Sequence, residues 1–203
     1  MRKAIAIGVL LLGIASVPAR ASEFGLLLDK QIGRAEAFNA ATSQGGLTPA
    51  GYDRCAPTGY GFRAAYTLLN LEVAELGAAV TYHPKAEDNL TSGGQVYGKF
   101  GDQYVAIGLQ ADWKLLLDLH AGLDMRQEKL TTTTSTGSDS TTLVRPWVKA
   151  GVGFNLPTPV VSPFVRLEVA VPLSKDDSSS NPDDFRKAMA PTLQVALYGG
   201  IRF

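Results

Sequence analysis

LDLHAGLDMR, Leu117 to Arg126, is the stretch on which the fold turns. Every second residue gives Leu117, Leu119, Ala121, Leu123 and Met125, and between and after them come Asp118, His120, Gly122, Asp124 and Arg126. A period of two sorts the segment into a greasy side and a polar side, as in a strand whose successive side chains point to opposite faces. Helix competes, because leucine and alanine favour it. At 3.6 residues per turn, however, Asp118, His120 and Asp124 scatter among the leucines without a polar face. A strand is expected.

The same split repeats on both sides of this segment. Toward the C-terminus, Val144, Pro146, Val148, Ala150, Val152 and Phe154 alternate with Arg145, Trp147, Lys149, Gly151, Gly153 and Asn155. Pro163, Val165, Leu167, Val169 and Val171 alternate with Phe164, Arg166, Glu168, Ala170 and Pro172. The last segment sets Leu193, Val195, Leu197, Gly199, Ile201 and Phe203 against Thr192, Gln194, Ala196, Tyr198, Gly200 and Arg202. Toward the N-terminus the apolar sides are Val105 to Trp113, Ala74 to Tyr82, Tyr60 to Leu68, and Phe24, Leu26 and Leu28. Eight strands result, and no apolar face carries a charge. The opposite faces hold Asp29, Arg63, Glu75, Asp112, Asp118, Asp124, Arg126, Arg145, Lys149, Arg166, Glu168 and Arg202, balanced in sign.

A soluble sandwich or lipocalin-like barrel places the apolar face inside. A membrane barrel turns it toward lipid and keeps the charges in its lumen. Three features select the second arrangement. Apolar-face aromatics fall near strand ends, Phe24, Trp113, Phe154 and Phe203 at one end and Tyr60, Phe62 and Tyr82 at the other, like the two interface girdles of a membrane barrel. Connections alternate in length: Gln127 to Thr142 and Ser174 to Lys187 are long and polar, whereas Leu69 to Val73, Lys114 to Leu116 and Leu156 to Ser162 are short. The chain ends on Phe203 within its last strand, with Ile201 two residues earlier.

On these residues the sequence resembles the small eight-stranded bacterial outer-membrane β-barrels of the outer-membrane protein A and X type. The resemblance spans residues 22–203 as a pattern. It implies an all-β, eight-stranded antiparallel up-and-down transmembrane β-barrel with both termini in the periplasm. Ile201 and Phe203 are then similar to the terminal signal read by the barrel-assembly machinery, although Tyr198 stands where that signal usually has glycine. The implied partners are outer-membrane lipid and, during biogenesis, that machinery, with the chain a monomer.

Residues 1–21 read as a signal peptide. Arg2 and Lys3 precede the uncharged stretch Ala4 to Ser16, and Pro18, Ala19, Arg20 and Ala21 form an A-x-A-like cleavage site. The apolar stretch is too short for a membrane helix, which needs about 20 residues. Removing it takes away Arg2, Lys3 and Arg20 and no acid. The full chain has 203 residues, 19 basic and 19 acidic, so bulk attraction to nucleic acid is not expected. The single cysteine, Cys55, excludes a disulfide framework and a cysteine-built zinc site, and reads as a loop thiol.

An eight-stranded barrel is only wide enough for side chains to fill, so the twelve charges, with Tyr104, Trp147, Phe164 and Tyr198 beside them, are expected to pack as an ion-pair network. A structural or surface-interaction role follows. The alternatives are a narrow passive channel for water, ions or small solutes, whose selectivity lumen charges would tune, and a lipid-modifying outer-membrane enzyme. For catalysis or metal binding the candidates are His83 and His120, with Glu75, Asp118 and Asp124 nearby in register. The apolar face carries no catalytic group, so no enzyme activity, cofactor or metal is assigned. Thr131 to Thr142 and Asp176 to Asp184 read as mobile solvated loops, and Ala35 to Thr42 as one or two helical turns. Leu119→Arg is expected to damage the barrel, and Asp124→Asn to leave assembly intact.

Overall fold

The computed structural model describes residues 22–33, 55–71, 73–92, 94–114, 117–135, 137–156, 158, 160–174 and 189–203. The signal-peptide segment 1–21, the helical turns expected at Ala35 to Thr42 and the acidic stretch Asp176 to Asp184 lie outside them. Eight strands run β1(Ser22–Gly33), β2(Thr58–Leu71), β3(Ala74–Ser92), β4(Gln95–Lys114), β5(Asp118–Thr134), β6(Gly137–Asn155), β7(Ser162–Pro172) and β8(Pro191–Arg202). Each pairs antiparallel with the next, and β1 pairs with β8 from Glu23↔Arg202 to Gly33↔Pro191, closing the barrel. Closure leaves no edge around the cylinder.

The strands β3 to β6 extend far beyond the hydrophobic alternation, and β1 and β2 also outrun it. Of the stretch Thr131 to Thr142, expected as a mobile loop, residues 131–134 and 137–142 pair in a ladder that runs from Lys129↔Thr142 to Thr134↔Gly137. Its threonines are β-branched and favour extended backbone. β3 and β4 likewise pair to Ser92↔Gln95, where Gly94 takes a φ of 80°, a left-handed conformation suited to glycine. Pro84, which has no N–H to give a ladder, sits where the β3–β4 register shifts between His83 and Ala86. The upper halves of β3 to β6 therefore stand beyond the other strands as a four-stranded blade.

Along the lower part of every strand the charged side faces in and the apolar side faces out. Ile107, Leu109, Leu123, Met125, Val148, Leu167, Val169 and Leu197 are exposed, while all twelve charges collected from the sequence are buried. On the blade this polarity inverts. Leu90, Phe100, Leu130 and Leu143 turn inward and pack with Cys55, Met189 and Ala190, whereas Lys99, Lys129 and Thr142 face outward and are exposed. On β5 the change falls between Met125 outside with Arg126 inside, and Lys129 outside with Leu130 inside. The outward face of one strand is thus apolar below and polar above. The apolar-outside stretch of β6, from Val144 to Phe154, spans ten steps of about 3.3 Å, which at a tilt of about 40° is roughly 25 Å high, the height of an outer-membrane barrel's apolar band.

Candidate functional site

Within the band, inward glycines alternate with large side chains, so the cylinder fills. A Cβ on Gly25 would meet the Tyr198 ring, one on Gly122 the Lys149 stem, and one on Gly59 the imidazole of His83. Trp147, Arg166, Tyr104, Tyr198 and Lys149 are all fully buried in this interior.

Three tiers of charge follow from the register. The tier nearest the short turns centres on Arg166 (β7), whose Nη2 lies 2.8 Å from Asp112 and 2.9 Å from Asp118. Arg202 donates to Glu23 at 2.8 Å beside it, and Glu75 is buried in register with Asp112. In the middle tier Arg63 donates to Glu168 at 2.8 Å and to Thr81 at 3.2 Å, and its guanidinium stacks 4.5 Å from the Tyr198 ring. Lys149 donates to Asp124 at 3.0 Å. In the tier beneath the blade, Arg126 lies 4.6 Å from the Tyr104 ring and 4.1 Å from the Trp147 ring. His83 stacks on Tyr104 at 4.8 Å and its Nε2 lies 2.8 Å from Asp29, and Gln194 donates to both Tyr104, at 2.9 Å, and Asp29. Arg145 donates to Glu128 at 2.9 Å and to the Pro191 carbonyl at 2.9 Å.

The pairing differs from the sequence expectation at the histidines. His120 Nδ1 lies 2.9 Å from Asp112 Oδ1, whereas Asp118 is held by Arg166 and Asp124 by Lys149. Both histidines are committed to packed carboxylates, and among the described residues no three His, Cys, Asp or Glu side chains converge as metal ligands. The balance of sign also differs. Glu23, Asp102 and Glu128 are buried in addition to the expected twelve, so nine carboxylates face six cations among the described buried residues.

The outward aromatics Phe24, Trp113, Phe154 and Phe203 ring the turn end, and Tyr60, Phe62 and Tyr82 lie at the other end of the apolar band, with all seven exposed. Tyr60 and Phe62 meet edge to face at 5.9 Å, and Phe62 opposes Tyr82 in register. Ile201 and Phe203 also point outward.

The blade presents a second surface. Thr131, Thr133, Ser138, Ser140 and Thr142 share its outward face with Lys99 and Lys129, and the Thr133 and Ser138 hydroxyls meet at 3.2 Å. Lys85 and Lys99 both reach Glu87, and the hydrogen bond from Lys85 holds that carboxyl below its ordinary range. Such a face offers hydroxyl and ammonium donors on a rigid ladder, a chemistry suited to polar or anionic surfaces.

No protein-family model matches the sequence, and no curated protein matches it. The backbone is similar to the crystal structure of Ail, the attachment invasion locus protein of Yersinia pestis, at 14% identity and a TM-score of 0.52, over 90% of this chain and 98% of that one. Ail in complex with the heparin analogue sucrose octasulfate gives 15%, 0.53 and the same coverage. Neisserial surface protein A (NspA) gives 9% and 0.51, over 90% of this chain and 95% of that one. At these identities the likeness carries the fold. The chain is a closed eight-stranded antiparallel barrel of the outer-membrane type.

Proposed function

We propose that the chain is an integral outer-membrane protein, exported by residues 1–21, that anchors a rigid blade above the membrane for surface interaction. The carrying observation is the inversion of polarity along β4, β5 and β6. Charges inside and apolar side chains outside give way, within about four residues, to apolar side chains inside and lysine, threonine and serine outside. A strand patterned this way crosses from hydrocarbon into water at Gln103 and Gln127. The membrane part is then a scaffold and the working surface is the blade. The similar structures are those of an attachment protein and a surface protein, which agrees with this reading, and Ail's complex with a heparin analogue makes heparin a suitable first probe.

The lumen is read as closed. An eight-stranded cylinder has room for side chains alone, and here Trp147, Arg166, Tyr104 and Tyr198 occupy it beneath an apolar stopper of Phe100, Leu130 and Leu143. Ile201 and Phe203 serve assembly, and catalysis has no part. Two measurements test this. Refolded chain in a planar bilayer shows no unitary conductance. Vesicle-borne chain retains heparin, and the Lys99→Gln/Lys129→Gln variant releases it at lower salt. Discrete conductance steps would replace the scaffold reading with the channel. Identical elution of the two forms would remove these lysines from the function.

A further inference from the structure

At the blade end the outward face turns polar where the strands leave the apolar band. At the opposite end it does not. The strand ends and short connections at 69–73, 114–117 and 156–161 hold nine Leu and Val in fifteen residues and two charges, Glu72 and Lys114. Turns that face water are normally built from polar residues and glycine. Here Leu69, Leu71, Val73, Leu117, Leu156 and Val160 are exposed, Val73 at 58%, Leu156 at 67% and Val160 at 80%. Exposed apolar residues occur at all three and adjoin in sequence the outward Leu76, Trp113 and Phe154. A patch of this size marks a membrane or protein interface, and its spread around the rim fits a continuous medium better than a one-sided partner.

The geometry points to lipid as that medium: the three turns are immersed in the inner leaflet, below the ring formed by Trp113, Phe154 and Phe203. Two or three residues beyond that ring correspond to about 5 to 8 Å of depth, comparable with the depth at which apolar faces sit in the boundary between headgroups and acyl chains. A second observation supports the immersion. The charges nearest this end inside the cylinder, Arg166 and Arg202 against Glu23, Asp112 and Asp118, pair with one another with side chains at most 7% exposed, and Glu75 beside them is buried. Within the three stretches themselves the charges are Glu72 and Lys114, one of each sign. At the blade end Lys99 and Lys129 are exposed on the outward face.

The inference rests on the membrane reading, and one experiment separates the two. Hydroxyl-radical labelling of the unsubstituted chain, refolded into dioleoylphosphatidylcholine vesicles, reports how wet each side chain is. Val96 and Val160 are a matched pair at opposite ends of the barrel, 60% and 80% exposed in the protein alone. With the turns in lipid, Val160 and Leu156 oxidise several-fold more slowly than Val96, at the rate of Ile107 in the apolar band. Val160 oxidising as fast as Val96 while Ile107 stays protected overturns the immersion and leaves the membrane barrel standing. Ile107 oxidising at the rate of Val96 overturns both. Protection of Val160 that disappears on dilution with lipid assigns the turns to contact between copies, which also overturns the immersion.

Discussion

Leu123 and Asp124 are chain neighbours that face different media. Leu123 pairs with Leu109 and Val148 on the outside, near mid-height of the apolar band, so Leu123→Arg puts a cation in hydrocarbon at a cost of about 2 to 4 kcal/mol. Reversible urea unfolding in vesicles measures it. Leu119 is a milder site than the sequence alone implied, because it pairs with Trp113 near the turn end, and there the same change costs about 0 to 1 kcal/mol. Asp124→Asn takes from Lys149, in a buried tier, its 3.0 Å carboxylate partner. The barrel assembles but loses roughly 3 to 5 kcal/mol, the usual cost of breaking a buried pair. The double variant Asp124→Asn/Lys149→Met recovers most of that loss in the same titration. Recovery separates an uncompensated charge from general damage to packing.

The β5–β6 hairpin shows what the sequence made legible and where it stopped. Alternation located all eight strands because lipid on one side and packed charge on the other impose a strict period of two. Beyond the apolar band the outward residues become Gln127, Lys129 and Thr131, and the inward ones become Leu130 and Leu143. The apolar signal changes side, so a search for one greasy face ends at Met125 and Val144 although the strands continue. Asp102 and Glu128 were missed for that reason, and Glu23 because its alternation begins one residue before Phe24. Following the period while allowing the faces to exchange would have found them. The same extension makes Thr131 to Thr134 ladder residues. Hydrogen exchange by NMR checks this: their amides are expected to be protected on the timescale of other strand amides, while exchange at the rate of free peptide would return the segment to a loop.

For the whole cylinder, pairing could not be read from any single segment. That Asp112, on β4, faces Arg166, on β7, depends on closure and register, which alternation leaves undetermined. The sequence supplied the list of inward charges, and the fold supplied their partners and the three unlisted carboxylates. Beyond the ion pairs, Asp29 is met by His83 and by the Gln194 amide, and Asp112 by His120. Four strands, β3 to β6, run from this packed interior into the blade, with a shift of the β3–β4 register between His83 and Ala86.

Fractionation of cells expressing the full chain, with a carbonate wash of the membranes and no detergent, puts the inverted barrel to the test. The chain is expected to stay in the outer-membrane pellet after the wash, because its outward Ile107, Leu109, Leu123 and Val148 have no other low-energy environment. Recovery of folded chain in the detergent-free supernatant would contradict it.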